Sequence, residues 1–191
     1  MGVDPNKVLL TGENPFLRLG PAQGQPFTTN ASFWRILLST AGPGHVLFLL
    51  SELTEGRPRV YSDNINLARW MQRTLEGPRK TPFGDEELAV EEARFRSSGD
   101  LRAFWTEEVV SSVERIRLTW HDLGEPFIAV VPTGGRPGAA FGIYGTIIPA
   151  RAARLTLNGK EAQGRVFPQD LMGGASSTCG LAFSETWLVS R

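Results

Sequence analysis

The chain has 191 residues, enough for one domain with a substantial core, and its 20 Lys and Arg balance its 20 Asp and Glu. That balance gives no electrostatic reason to expect nucleic acid, an anionic membrane or an acidic substrate as partner. A hydrophobic content of 41% with 21% charged residues belongs to a folded globular protein, and the single cysteine, Cys179, excludes an internal disulfide and any multi-cysteine metal site.

The opening stretch, MGVDPNKVLLTGENP, holds no apolar run of signal-peptide length, and its sixth residue is Asn where N-myristoylation favours Ser or Thr. A reducing cytoplasm is the expected location. The longest apolar run, Val46 to Leu50, is far too short to cross a bilayer, so no membrane partner is expected. Residues 1–30 are rich in Pro, Gly and Asn without a clear period, which reads as an irregular arm ahead of a single β domain over residues 31–191.

Strand signals then follow in quick succession. Ala31 to Ser39 and His45 to Leu53 flank the turn AGPG and form an expected hairpin whose two faces are both apolar, the pattern of strands covered on both sides. Pro58 to Asp63 is a short strand. Ser62 or Asp63 is placed to cap a helix near residues 64–76, in which Ile65, Ala68, Met71 and Leu75 recur at helical spacing, and Gly77-Pro78 ends it. Residues 79–87 read as a charged loop. DEELAVEEARF has an acidic first turn suited to a helix, yet a strand is preferred because SSGD, RAFWTEEVV and VERIRLTW continue as a meander. In VERIRLTWHD, alternation sends Ile116, Leu118 and Trp120 inward and Arg115 and Arg117 outward.

Phe127 to Pro132 and Ala139 to Pro149 supply two more strands. Asn158-Gly159 marks a tight hairpin, since both residues tolerate positive φ, and DLMGGASSTCG reads as a Gly- and Ser-rich loop before the last strand, Leu181 to Val189. The sum is an all-β protein of about nine or ten strands with one short helix. It is either a single antiparallel β-barrel, lipocalin-like in architecture, or a two-sheet sandwich, with the barrel favoured. An early Trp34 and a terminal Arg191 resemble the layout of lipocalin-like barrels, whose usual Gly-x-Trp is absent here.

Strict alternation along LAFSETWLV puts Leu181, Phe183, Glu185, Trp187 and Val189 on one face, with a carboxylate among bulky apolar groups. A desolvated Glu185 has a raised pKa and can exchange a proton near neutrality; pairing with an arginine is the structural alternative. Trp120-His121-Asp122 is the other polar cluster, with His121 as a candidate acid-base group, although neighbouring strand residues face apart and Asp122 suits the DLGEP turn. Trp34, Tyr144, Glu185 and Trp187 are the candidate ligand-binding residues, and Glu185 and His121 the candidate catalytic ones. His45 and His121 lack metal-ligand spacing, GGRPG and MGGAS match no nucleotide fingerprint, and Cys179 has no neighbouring cation, so neither a metal nor a cofactor is expected. The expected function is binding or carriage of a small, mainly apolar molecule in a barrel cavity. The alternatives are a cofactor-independent isomerase, lyase or hydratase using Glu185, and a structural or subunit-interaction module, a homodimer included, built on the doubly apolar hairpin.

Overall fold

The computed structural model describes residues 7–133 and 141–189. Nine strand positions close into a mixed β-barrel with one short α-helix. In ring order these are β3 (Thr29–Ser39), β4 (Gly44–Ser51), β5 (Arg59–Ser62), β6 (Val90–Asp100), β7 (Phe104–Ser111), β8 (Arg115–Leu123), β10 (Phe141–Leu157) and β14 (Cys179–Val189). The ninth position is shared by β1 (Val8–Glu13) and β2 (Phe16–Leu19), each of which pairs with both β14 and β3. The irregular arm expected over residues 1–30 therefore contains the strand that closes the barrel. Its Pro15 sits in the break between β1 and β2, where the missing N–H costs no ladder bond.

One pair departs from the antiparallel rule. β5 runs parallel to β6, with Val60 opposite Val90, because α1 (Ile65–Met71) and the turn of π-helix Gln72–Glu76 carry the chain over between them. The helix starts one residue later than expected, with the Asn64 side chain accepting from the Leu67 N–H at 3.1 Å. Asp63 is occupied elsewhere, accepting from the His45 backbone N–H at 2.7 Å and lying 2.6 Å from its Nδ1. Ile65 is exposed; Leu67, Ala68, Met71 and Leu75 form the buried stripe.

Alternation along β3 and β4 feeds two separate cores. Phe33, Leu47 and Leu49 point into the barrel, where residues from every position of the ring, among them Leu17, Tyr61, Val109, Leu118, Leu155 and Leu181, fill the interior. Trp34, Ile36, Val46 and Phe48 point the other way and pack under the helix. The doubly apolar hairpin is thus covered by barrel closure on one face and by α1 on the other, except near its turn, where Leu37 and Leu38 are exposed.

The strand preferred over residues 85–96 is present as β6, although it begins at Val90 and runs through SSGD to Asp100. Two expected strands on either side of Pro149 are one strand of 17 residues. Pro149 is tolerated because its ladder edge faces the gap between β8 and β9 (Phe127–Val131), where the Gly124 N–H donates to the Pro149 carbonyl at 2.8 Å. Asn158 and Gly159 have φ of 50° and 80° in the tight turn to β11 (Lys160–Glu161), as their sequence implies. DLMGGASSTCG is not a loop but the hairpin of β12 (Pro168–Leu171) and β13 (Gly174–Ser177), which turns at Met172-Gly173 with φ of 50° and 87°. Arg191 of the lipocalin-like pattern and the GGRPG motif, residues 134–138, lie outside the described residues.

Asn64→Ala removes the helix cap and is expected to lower stability by about 1 kcal/mol. Asn64→Asp, which keeps an accepting oxygen, should lose less. Urea melts of the two variants check this, and equal losses would show that the cap oxygen does not hold the helix start.

Candidate functional site

Glu185 reaches its position through a bulge. Tyr144 pairs with Thr186 and Thr146 with Phe183, so Ser184 and Glu185 together oppose the single Gly145, and Ser184 takes φ of 51°. This extra residue reverses the faces beyond it. Leu181 and Phe183 look into the barrel, Phe183 meeting Trp105 edge-on at 6.0 Å, while Glu185 and Trp187 look outward toward Trp34. The shared face expected from strict alternation is split by one residue.

On the outer wall Trp34 and Trp187 meet edge-on with ring centroids 5.8 Å apart. The Trp187 indole N–H donates to Glu185 Oε1, and no protein donor reaches Oε2 among the described residues. These three side chains line a cleft of about 230 Å³. Its other walls come from Phe16 and Arg18 of β2, Ile143 of β10, Ala182 of β14, the segment Glu76 to Phe83 that follows the helix, and Leu171 and Met172 of the β12–β13 hairpin. The cleft is the gap left between two covers of the barrel wall, one helical and one a hairpin.

Charge in the cleft is sparse and specific. Glu185 is only 5% exposed, and burial raises its pKa to about 7 against the opposing pull of the Trp187 N–H and the Arg79 charge. No ion pair ties Arg79 to Glu185; Arg79 is held by Glu76 at 3.1 Å, and Glu76 also accepts from the Thr81 hydroxyl at 2.6 Å. The arginine-paired alternative for Glu185 is therefore not what the structure shows. Arg18 projects outward between the inward-facing Leu17 and Leu19, its guanidinium 5.7 Å from the centroid of the Phe16 ring. Burial, and then the nearby Arg79 charge, press its pKa below the ordinary value.

The remaining candidates are dispersed. Tyr144 stands opposite Thr186 on the face turned away from Ile143 and Trp187, so it does not line the cleft. His121 lies on the outward face of β8, its ring 6.4 Å from that of Phe104, and is not brought to Glu185. The barrel interior has its own buried carboxylate. Glu107, 1% exposed, accepts from Trp105 Nε1 and from Ser97 Oγ, both at 2.7 Å, and burial raises its pKa. Both of its oxygens are engaged, which marks it as a node of the core. A larger recess of about 770 Å³ along Arg35, Gly44, His45 and Asp63 is a shallow groove open to solvent, without a buried functional group at its base. Sequence reasoning missed Arg18 and Arg79 because they fell in segments read as an arm and a loop. The alternation in FLRL was the available signal for Arg18. Among the described residues no group of three His, Cys, Asp or Glu side chains could hold a metal ion, and no helix is long and apolar enough to cross a membrane.

The raised pKa of Glu185 makes stability depend on pH. The folded state holds the proton more tightly than the unfolded chain, whose pKa is about 4.3, so ionisation costs nothing below that value. The penalty grows as pH rises toward 7 and is complete above it, amounting to roughly 3 kcal/mol for a shift of this size. Glu185→Gln is expected to be neutral at about pH 4 and stabilising by up to about 3 kcal/mol at about pH 8. Urea melts at the two pH values measure it, and a loss of stability at the higher pH would reveal a cationic partner instead. No family model, curated protein or solved structure matches this chain, so its function is argued from the geometry of the cleft.

Proposed function

We propose that this protein binds or carries a small, mainly apolar molecule, and that the molecule sits in the outer cleft rather than inside the barrel. The barrel fold is compatible with such a role, but its interior is filled by side chains of the ring. The observation that carries the reading is a cleft of about 230 Å³ in which Trp34, Trp187, Phe16 and Phe83 surround a carboxyl group with one oxygen unclaimed. Aromatic walls around a few placed polar groups are how small-molecule sites are built. The volume falls below the roughly 300–1,000 Å³ of drug-sized sites, so the occupant is small.

One observation favours a second reading, proton transfer on such a molecule. Glu185 is desolvated, titrates near pH 7 and borders the cleft, which suits a general acid or base working near neutrality.

Calorimetric titration with 1-naphthylacetamide, a flat neutral aromatic, tests the binding reading. The unaltered protein is expected to bind it saturably. Ala182→Phe, which fills the cleft from its floor, should weaken binding by about 10-fold or more. Equal affinity in both proteins would end the assignment of the site. For proton transfer, exchange of deuterium from solvent into phenylacetone, followed by NMR, should be accelerated by the protein and slowed about 100-fold or more by Glu185→Gln. An unchanged rate would remove Glu185 from that chemistry.

A further inference from the structure

The cleft holds four ionisable side chains, and their charges do not cancel while Glu185 keeps its proton. Glu76 and Arg79 neutralise one another as a pair at 3.1 Å. Arg18 is left. Among the described residues no carboxylate forms an ion pair with its guanidinium, and none of its side-chain N–H groups has a hydrogen-bond partner, although β2 fixes its backbone in the barrel wall. A second donor nearby is also unspent: Trp34 is almost wholly buried on the cleft wall, and its indole N–H has no partner. Buried polar groups are as a rule hydrogen-bonded, so such an exception calls for an explanation.

We propose that the ligand of this cleft carries a single anionic head, a carboxylate or an oxyanion of similar size, and that Arg18 binds it while the aromatic walls hold the apolar body. The inference rests on the cleft being a ligand site. An arginine suits the task because its planar fork matches two oxygens at once. Phe16 lies beneath the guanidinium and excludes water from one side, which strengthens the charge interaction. At Arg18, Glu76 offsets the Arg79 charge only in part, since Arg79 still disfavours the charged form of Arg18, and an anion beside Arg18 relieves that repulsion. A dianion is disfavoured, because Glu76 already claims Arg79 and Glu185 adds a carboxyl group to the same space. A protonated Glu185 can donate from Oε2 to the same head or to a polar atom elsewhere on the ligand.

The test compares 1-naphthylacetate with 1-naphthylacetamide, nearly identical in shape, by calorimetry at about pH 6, where the acid is ionised. The acid is expected to bind the unaltered protein about 10-fold or more tightly than the amide, the preference one charge-assisted contact supplies. Added salt should shrink that preference, and Arg18→Gln should abolish it, so that this variant binds acid and amide with equal affinity. If acid and amide bind equally, the anionic inference is overturned and the apolar-ligand reading stands. If neither binds, both fall. Should Arg18→Gln fail to fold, the salt series on the unaltered protein still decides, because a preference for the acid that is flat against salt would overturn the role given to Arg18.

Discussion

The hairpin of β3 and β4 carries bulky apolar groups on both faces, and that constraint organises the rest of the molecule. A strand of this kind cannot leave either face in water, since each fully buried aromatic or aliphatic side chain is worth about 1.5–3 kcal/mol. Closing the sheet into a ring covers Phe33, Leu47 and Leu49. Nothing in the ring covers Trp34, Ile36, Val46 and Phe48, so a second element has to lie outside the wall, and the only α-helix among the described residues takes that place. The helix in turn sets the parallel pairing of β5 and β6, because a chain that leaves β5, passes over the outer face and returns beside β5 must run in the same direction.

The cleft follows from the shortness of that cover. A helix of seven residues and a single π turn shield the outer face of β3, β4 and β5, but end before β14 and the near end of β10. The β12–β13 hairpin covers a separate patch, where Phe127, Leu171 and Met172 pack on Ala129, Ile147 and Ala182. Between the two covers remain Trp34, Trp187 and Glu185. A fold that needed only a core would gain by closing this gap with one more apolar side chain. The gap is instead edged by Arg18, Glu76, Arg79 and Glu185.

Much of the fold was legible because hydrophobic alternation and turn chemistry agree locally. β3, β4 and β8 follow from their patterns, and the Asn158-Gly159 turn from the need for positive φ at both residues. The closing strand was hidden because its two pieces are short and broken by Asn14 and Pro15, so neither shows enough alternation to stand above a Gly- and Pro-rich background. The β12–β13 hairpin was hidden for a related reason: Gly174, Ala175, Ser176 and Ser177 carry no large apolar side chain to report which face they bury. In the site, Trp34, Glu185 and Trp187 were recognisable as a carboxylate among aromatics. Their separation from Phe183 and Tyr144 was not, because a bulge is a one-residue change in register and Ser184 is not a residue whose type announces positive φ.

Of the three buried carboxylates among the described residues, Glu76 is spent in its ion pair with Arg79, and the other two show why one is the better functional candidate. Glu107 and Glu185 are both desolvated, and in both burial raises the pKa. Glu107 receives two donors, so both of its oxygens are engaged inside the barrel, with the Arg35–Glu13 pair nearby. Its desolvation is offset by structure. Glu185 receives one donor, on Oε1, and the cation that acts on it, Arg79, is held by Glu76. A carboxyl group left partly uncompensated at the edge of an aromatic cleft weakens the protein, and under the proposed binding function an occupant that supplies the missing contact would restore the lost stability. Under that proposal binding and stability are linked.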